Sequence, residues 1–501
     1  MEKRGDKATH IETWLQSLGY SPDTSMRGMI GVWWGWLLAD NSWYHYSERR
    51  GFRVYKRERV SLHPAALVAD EWASLLMTED TVISSSNPDR AEWMARHFPN
   101  PGTGSQTDEG EPTEDIEEPQ SFAMDNADFI SRVFALGTGA WVIEPHGVTE
   151  NATTPDAELR IVEYDATQIY PLTYSTKGCT QCAFSGRVEV GGKAYDQCQA
   201  HVIIDGEYHI LTQLFGDNGQ RVEVESIIGD FNTHCKRPLF SLVTPGVPNH
   251  HRAYSAMGAS VYQNALGAIK TTDEALTGFL DHMRVGRPKT FIDDTLIESK
   301  TEKDKKTGET VKTYYAFGEA DDCVFRMRPG DEGGKKIDVV QTDLKVDELT
   351  EAINTGLRML SLTCGFGNAR FSWDAHTGLK TAKEVSADNS MLMNSIKKHT
   401  NSLRKSIVRL VNGMAEACRK IRGENVPYGD VTVTFDDSIV TDTTSAREMA
   451  MSEVGAGIMQ AWEYRKRFYG ESEEDARAAL ADASMHEPVP DPFDMLDDGL
   501  S

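Results

Sequence analysis

Residues 344–399 read LKVDELTEAINTGLRMLSLTCGFGNARFSWDAHTGLKTAKEVSADNSMLMNSIKKH. The apolar side chains recur at helical spacing over residues 346–364, and Gly365 and Gly367 follow where a helix often ends in a left-handed residue. After a loop rich in glycine and aromatic residues, the apolar spacing resumes and continues to Ile421, which predicts one helix of roughly 40 residues. The stretch therefore predicts a scaffold of two helices joined by a loop rather than a site for bond chemistry.

The order of these segments resembles that of the portal proteins of tailed bacteriophages, in particular the A118-like and SPP1-like groups. The resemblance rests on the first helix, the GFGNARFSWD loop, the TAKEV sequence and the long helix. It extends upstream to RPLFSLVTPGVPNH at 237–250, GASVYQNALGAIKTTDEAL at 258–276, RVGRPKTFI at 284–292 and LVADEW at 67–72, and spans the chain from about Trp33 to Ala483. It implies an α+β portal fold and a homo-oligomeric ring of twelve subunits at one capsid vertex, through which DNA enters and leaves.

The resemblance also divides the chain into the parts of a portal subunit. These are a wing at 1–257 with an acidic loop at 101–120, stem helices at 258–285 and 346–364, a clip at 286–345, a tunnel loop at 365–379, a long helix and return to the wing at 380–440, crown helices at 441–486 and a disordered tail at 487–501. The implied partners are double-stranded DNA in the channel, the large subunit of the terminase, a head-completion adaptor, and the major capsid and scaffolding proteins. The implied location is the virion, after assembly in the host cytoplasm.

Composition and charge agree with a globular chain. The 501 residues are 39% hydrophobic, which is enough to build several domains. The sequence has no run of 18 apolar residues and no apolar core near the N-terminus, so a soluble protein without membrane contact is expected. The formal charge of −25 argues against tight binding of nucleic acid, but an acidic channel wall would let a duplex slide.

One cysteine-rich segment has the spacing of metal ligands. Cys179, Cys182, Cys198 and His201 form a CxxC, fifteen-residue, CxxH arrangement. Pairing of two strands about Gly191-Gly192 would set Cys182 opposite Cys198 and Cys179 opposite His201, so that four zinc ligands converge. The alternative is a half-buried hairpin with small apolar thiols and with His201 hydrogen-bonded at its end. The resemblance implies no metal, so no cofactor is expected and zinc is kept as the alternative.

The N-terminal half contains two kinds of secondary structure. Residues 28–100 are predicted to be helical, with tryptophans followed by a basic run from Arg49 to Arg59. That run favours helix packing and pairing with carboxylates over nucleic-acid contact. Residues 121–250 predict a helix and then short strands separated by turn residues. Gly137 and Gly139 precede a strand and lack a third glycine, so a phosphate-binding loop is not expected.

Two surfaces carry the expected contacts of a portal. Residues 286–345 hold 12 Lys/Arg and 13 Asp/Glu, and by resemblance this clip would dock the terminase and the adaptor; a charged, soluble insertion is the alternative. The clip lysines predicted to take part are Lys300, Lys303, Lys305, Lys306 and Lys312. The tunnel-loop residues predicted to line the channel are Gly365, Gly367, Asn368, Arg370, Phe371, Trp373, His376 and Gly378.

Small residues allow close approach at a symmetry axis, and a few larger side chains would touch DNA. For Arg370 the open alternatives are a phosphate contact, a buried salt bridge and a capping role. For Phe371 and Trp373 the open alternatives are exposure to DNA in the channel and anchoring of the loop in the core.

No catalytic residues are predicted. The sequence contains no Walker A, HExxH or GxSxG motif, so packaging force would come from a separate ATP-hydrolysing terminase. The sequence therefore predicts a portal subunit without enzymatic activity. Two alternatives remain: a minor capsid protein that assembles without a channel, and a zinc-binding nucleic-acid enzyme built on the 179–201 cluster. The C-terminal part predicts a strand at 431–439 and helices at 444–470 and 472–484.

Overall fold

The structure is a computed structural model. It describes residues 4–100, 121–150, 152–175, 178–224, 227–252, 254–293, 299–303, 310–315, 324–327, 337–341, 343, 345–367, 370–373, 382–435, 450–455, 457–469, 472–473 and 476–479. The chain divides into two units, Met1–Phe435 and Asp436–Ser501. Helices and strands are both abundant, so the predicted α+β class is confirmed.

The helices are α1 Arg4–Ser17, α2 Arg27–Leu37, α3 Pro64–Leu76, α4 Pro88–His97, α5 Phe122–Asp125, α6 Ala127–Leu136, α7 Leu266–Val285, α8 Val346–Thr363, α9 Ala382–Lys420 and α10 Ala461–Tyr469. The strands are β1 His45–Arg50, β2 Arg53–Glu58, β3 Val82–Ser84, β4 Gly139–His146, β5 Glu158–Asp165, β6 Ile169–Ser175, β7 Gly178–Val190, β8 Lys193–Ile204, β9 Glu207–Phe215, β10 Arg221–Val222, β11 Asp230–Asn232, β12 Phe240–Val243, β13 Lys289–Asp293, β14 Ser299–Lys303, β15 Thr310–Tyr315, β16 Val324–Met327, β17 Ile337–Val340 and β18 Thr432–Thr434. In the described part of the chain, no helix is both long and apolar enough to cross a membrane.

The largest sheet is antiparallel and follows the order β10-β9-β8-β7-β6, with β11 also paired to β9. The hairpin between β7 and β8 turns at Gly191 and Gly192, which have φ of +60° and +75°, a conformation that glycine adopts at little cost. Residues of one sheet face form a core with α1; Tyr170 and Phe215 come from the sheet, and Trp14 comes from α1. The strands predicted between residues 139 and 222 are observed.

The long helix α9 has 39 residues, in agreement with the prediction, and lies against a second sheet of order β12-β4-β5. The hydroxyl of Ser241 on β12 donates to the Ser406 carbonyl at 2.7 Å, and the hydroxyl of Ser406 donates to the Leu242 carbonyl at 2.9 Å. A Cβ added at Gly246 would come within 2.3 Å of the Lys398 backbone. Serines and a glycine therefore let the long helix approach the strand backbone directly.

The helical prediction for residues 28–100 is wrong at 45–58, where β1 and β2 form an antiparallel hairpin. The physical reason is the turn at Gly51, which has φ of +61°, and the Val and Tyr residues in the flanking segments. Arg59, at the end of the basic run, pairs with Glu274 on α7 at 2.7 Å and lies over the ring of Trp43 at 4.5 Å. For this arginine the preferred interpretation, pairing with a carboxylate, is confirmed.

Helices α7 and α8 pack side by side and run antiparallel. At one end of the pair, the Lys345 backbone N–H donates to His282 Nε2 at 3.4 Å. Near its middle, a Cβ added at Gly356 would come within 2.7 Å of the Thr272 hydroxyl and 2.9 Å of the Thr272 Cα. Gly356 and Thr272 both lie in the buried seam between the helices, where Thr272 is fully buried.

The helix predicted at 346–364 is observed, but the one predicted at 258–285 begins only at Leu266. The preceding residues form turns, because the Ser260 hydroxyl accepts the Tyr262 backbone N–H at 3.2 Å and the Gln263 side chain donates to the Pro248 carbonyl at 2.8 Å. Such local side-chain bonds compete with helix formation.

Replacement of Gly356 by alanine is expected to lower the free energy of unfolding by about 1–3 kcal/mol, because the added methyl overpacks the seam against the Thr272 backbone. Gly278 on α7 provides the matched control, since an added Cβ there meets nothing within 4 Å. At this open helical position, alanine is expected to raise the free energy of unfolding by about 0.5–1 kcal/mol. Denaturant unfolding of the two variants measures both effects. If alanine raised the free energy of unfolding at both positions, the helices would not be packed closely at Gly356.

The segment 286–345 contains two small sheets. Strand β13 pairs in parallel with β16 and antiparallel with β17, and β14 pairs antiparallel with β15. Lys300 and Lys303 lie on β14, and Lys312 lies on β15 opposite Glu302. Lys305 and Lys306 lie outside the described residues.

The strand predicted at 431–439 is observed over Thr432–Thr434, where β18 pairs with β3, and residues 436–449 lie outside the described part. In the second unit the single helix predicted at 444–470 is wrong. Residues 450–455 are helical, the chain turns at Gly457 with φ of +72°, and α10 follows. Residues 476–479 are helical, within the helix predicted at 472–484. The predicted tail at 487–501 lies outside the described residues.

Candidate channel loop and candidate metal ligands

The predicted tunnel loop is described at residues 365–367 and 370–373; Asn368, His376 and Gly378 lie outside the described residues. Gly365 and Gly367 have φ of +90° and +85°, the left-handed region that favours glycine. A Cβ added at Gly365 would also come within 2.7 Å of the Ser395 hydroxyl on α9. The two glycines therefore end α8 and turn the chain close to the long helix.

An aromatic cluster fixes the start of the loop to α3. Trp72 is fully buried, and its ring stacks on Phe366 with centroids 4.3 Å apart and planes at 21°. Phe366 in turn makes an edge contact with Phe371 at 5.2 Å, and both phenylalanines are buried. The indole N–H of Trp72 donates to the Cys364 carbonyl at 3.3 Å, which holds the C-terminal end of α8.

The same tryptophan contacts the long helix through His399, whose ring lies 4.5 Å from that of Trp72. The Gly246 backbone N–H donates to His399 Nδ1 at 3.0 Å. Burial, reinforced by the nearby Lys398, lowers the pKa of His399 to about 3, so the imidazole is neutral at physiological pH. One buried aromatic cluster thus joins α3, the loop and α9.

Helix α8 holds the backbone of residues 371–373. The Phe371 N–H donates to the Ser361 hydroxyl at 3.1 Å, and the Trp373 N–H donates to the Asn354 side-chain oxygen at 2.8 Å. Ser361 and Asn354 are seven residues apart, which places them on one face of the helix. The loop therefore runs back along α8.

Two large side chains of this loop segment reach solvent. Arg370 Nε donates to Glu71 Oε1 at 2.6 Å, and a second guanidinium nitrogen also contacts that carboxylate. The Arg370 side chain is 39% exposed, so the pair lies at the surface rather than in the core. Trp373 is 48% exposed, whereas Phe371 is buried. Arg370 therefore forms a salt bridge at the surface and not the buried one named among the alternatives, whereas Phe371 is buried and anchors the loop.

The register predicted for the cysteine-rich hairpin is wrong by three residues. Cys182 lies opposite His201, and Cys198 lies opposite Ser185, because the two-residue turn pairs Val190 with Lys193. Directly opposed residues share a sheet face, and residues three apart lie on opposite faces. Cys182 and His201 therefore lie on one face, whereas Cys198 belongs to the α1 core on the other. The argument for four convergent zinc ligands fails at this point.

His201 is fully buried between Phe184 and Phe240, at ring distances of 5.5 and 5.7 Å. Neither ring nitrogen has a hydrogen-bond partner within the described residues, so the hydrogen bond expected at the hairpin end is also wrong. Burial lowers the pKa of His201 to about 3 and raises that of the Cys182 thiol well above its ordinary value. Both groups are uncharged at neutral pH.

The sequence analysis missed the residues that support the loop. Glu71 and Trp72 belong to the LVADEW segment and contact the loop across large sequence separations. His399 belongs to the long helix and contacts Trp72. The available signal was the presence of LVADEW among the segments that resemble portal proteins. Its position alone did not assign it a contact.

Three solved structures match the chain at low identity and with low TM-scores. The neck of a native GTA particle computed with C12 symmetry is 13% identical, with coverage of 81% of this chain and 88% of that chain and a TM-score of 0.35. The neck of an empty GTA particle computed with C6 symmetry is 12% identical, with coverage of 88% and 93% and a TM-score of 0.36. An HK97 family phage portal protein from Corynebacterium diphtheriae is 10% identical, with coverage of 75% and 93% and a TM-score of 0.26. With TM-scores below 0.5, these matches say nothing about how this chain assembles.

No curated protein sequence matches the chain. A protein-family model does: residues 243–488 match the family described as phage portal protein, SPP1 Gp6-like. The matched span begins at the end of β12 and contains α7, the 286–345 segment, α8, the loop and α9. Membership of the A118-like group remains a prediction. The match covers 246 of the 501 residues, just under half of the chain, and identifies residues 243–488 as a phage portal protein domain of the SPP1 Gp6-like type.

Proposed function

We propose that the chain is one subunit of a closed ring of twelve copies at a capsid vertex, and that the ring forms the channel for DNA packaging and ejection. The observation that carries the proposal is the antiparallel pair of α7 and α8. At one end of the pair, next to His282 and Lys345, the chain enters the 286–345 segment, and at the other end it enters the tunnel loop. With 18 residues, α8 would separate the two by about 27 Å.

The side chains of the loop support a weak contact with DNA, in which the duplex is not held tightly. Arg370 is paired with Glu71, so this pair presents little net positive charge to a phosphate. Trp373 is 48% exposed, so part of its side chain is accessible to a duplex. In a chain with a formal charge of −25, a channel lined by such groups holds the duplex weakly and lets it slide.

The 286–345 segment is proposed as the clip, with Lys300, Lys303 and Lys312 among the residues that dock the terminase large subunit and later the head-completion adaptor. The support is its place between the two packed helices and its nearly balanced charge. The chain acts through ring geometry, and the ATP-hydrolysing terminase supplies the packaging force. Assembly with the major capsid and scaffolding proteins would place the ring in the virion.

The test is negative-stain electron microscopy of the purified protein, with native mass spectrometry to count subunits. Rings with a central opening wider than a DNA duplex, roughly 20 Å, and a mass of twelve subunits are expected. A monomer or dimer at every salt and protein concentration would contradict the proposal and favour a minor capsid protein without a channel.

Docking is tested separately with the charge-reversed variant Lys300→Glu, Lys303→Glu, Lys312→Glu. We expect this variant to form rings but to lose terminase binding in a pull-down. The control is Lys193→Glu at the exposed β7–β8 turn, which should form rings and keep terminase binding. Undiminished binding by the triple variant would exclude the lysines as the docking face.

A further inference from the structure

His97, Cys418 and Glu424 bring three metal-ligating atoms together, far from the loop in sequence and outside the cysteine-rich hairpin. Nε2 of His97, Sγ of Cys418 and a carboxylate oxygen of Glu424 all lie within 4.8 Å of one another. A metal ion could be held by three or more His, Cys, Asp or Glu side chains, and within the described residues this group brings them close enough together. We propose that it binds one zinc ion or a similar divalent metal, which would fasten α4 to the C-terminal end of α9.

The imidazole is oriented as a metal ligand requires. His97 Nδ1 lies 3.0 Å from the Trp93 carbonyl, which favours a proton on Nδ1 and leaves the Nε2 lone pair directed at Cys418. The ring also stacks on Trp93 with centroids 4.6 Å apart, which limits its rotation. A backbone carbonyl behind the distal nitrogen is the usual outer partner of a metal-bound histidine.

The distances suit a small tetrahedral ion. His97 Nε2 and Cys418 Sγ are 3.9 Å apart. With bonds of about 2.3 Å to sulfur and about 2.0 Å to nitrogen, tetrahedral zinc places these two ligand atoms roughly 3.5 Å apart, so a shift of a few tenths of an ångström completes the geometry. Nitrogen, thiolate and carboxylate donors together favour zinc over calcium or magnesium.

The turn that follows the C-terminal end of α9 places Glu424 next to Cys418. The Glu424 backbone N–H donates to the Cys418 carbonyl at 3.0 Å across a turn at Gly423, which has φ of +67°. A Cβ at Gly423 would also approach the Thr153 methyl at 2.8 Å, so the turn requires glycine. Glu424 Oε2 is shielded from solvent and has no hydrogen-bond partner within the described residues. That carboxylate oxygen is the second observation that points to a missing ligand.

Basic groups surround the site and must be accounted for. Arg422 lies 3.8 Å from Glu424 Oε2 and is 34% exposed, so it can turn outward when a cation takes its place. Arg90 and Arg419 donate to the Pro427 carbonyl. The charges of Arg90 and Arg422 favour a thiolate at the fully buried Cys418. Burial, followed by the charge of Glu424, raises the pKa of Cys418 to about 12, so the metal-free protein holds a thiol. Metal binding then releases one proton from that thiol.

The test uses the full-length protein, stripped by chelator and titrated with Co²⁺ alone. A near-ultraviolet thiolate-to-cobalt absorption band that zinc abolishes is expected, with one metal ion per chain. Cys418→Ser should lose the band, and His97→Gln should bind Co²⁺ at least about tenfold more weakly. Cys182→Ser, in the cysteine-rich hairpin, should keep the band unchanged. Because His97 is only half-buried, its variant remains informative if Cys418→Ser fails to fold.

Zinc should also raise the melting temperature of the wild-type protein and leave that of His97→Gln unchanged. Absence of the band from the wild type, or its persistence in both site variants, would overturn the proposal. A band lost in Cys182→Ser would instead place the metal at the hairpin. Neither readout depends on ring formation, so a failure here does not bear on the portal function.

Discussion

Replacing Trp72 with alanine is expected to lower the free energy of unfolding by about 3–5 kcal/mol, the cost of truncating a fully buried large aromatic side chain. The cavity would open between Phe366 and His399, and the Cys364 carbonyl would lose the indole N–H. Because these contacts join α3, the start of the loop after α8, and α9, the variant should also release the loop. Denaturant unfolding measures the first effect, and limited proteolysis near residue 370 measures the second.

Trp373→Ala is the matched control, since it removes the same kind of side chain, here from the loop itself, at a position that is 48% exposed. We expect it to change the free energy of unfolding by less than about 1 kcal/mol, because its backbone N–H can still donate to Asn354. If both variants lost equal stability, Trp72 would not be the anchor of the loop. If only Trp373→Ala impaired DNA packaging into proheads, the channel role proposed for this loop would gain support.

The contrast between these tryptophans shows what the sequence could predict. Helical periodicity located α8 and the 39-residue helix α9 almost to the residue, because each has a continuous apolar stripe. The loop between them was located by its glycines. Whether Trp72 or Trp373 anchors it depends on a contact with α3 about 290 residues upstream, and no local pattern encodes that contact.

The errors have a common physical origin. Helix α7 begins eight residues later than predicted because Ser260 and Gln263 satisfy backbone groups locally, in a way that apolar spacing does not reveal. The register of the cysteine-rich hairpin was predicted wrongly. The sequence indicated a turn at the glycines, but it did not show which two residues pair on either side of that turn. A shift of three residues moved Cys198 to the other sheet face. The His97, Cys418 and Glu424 group lies on separate elements, so sequence spacing gave no signal for it.

The free energy of unfolding is expected to fall steeply as pH falls from about 6 to 4. Burial lowers the pKa of both His201 and His399 to about 3, whereas an imidazole in the unfolded chain titrates near 6.5. Between these values the unfolded state binds more protons, so stability rises with pH across that window and is lost as pH falls. Each histidine contributes about 1.4 kcal/mol per pH unit inside the window. Urea unfolding at several pH values measures the slope.

Carboxylates titrate in the same pH range, and their protonation can either raise or lower the free energy of unfolding. Burial raises the pKa of Glu144, so its protonation favours the folded state as pH falls, whereas the lowered pKa of Asp23 acts in the opposite direction below its ordinary value. The variant His201→Leu separates the histidine contribution from both. It removes one buried imidazole and leaves His399 and the carboxylates in place, so the slope should decrease by about 1.4 kcal/mol per pH unit.

At pH 7 the same variant is expected to be more stable than the wild type by about 1–3 kcal/mol, because it removes two buried nitrogens that have no hydrogen-bond partner among the described residues. Leucine is close to histidine in volume, so the space between Phe184 and Phe240 stays filled. An unchanged slope in His201→Leu would mean that this imidazole is protonated in the folded protein. Lower stability at pH 7 would mean that its nitrogens bind a partner, and metal analysis of the wild-type protein would then test the hairpin as a zinc site.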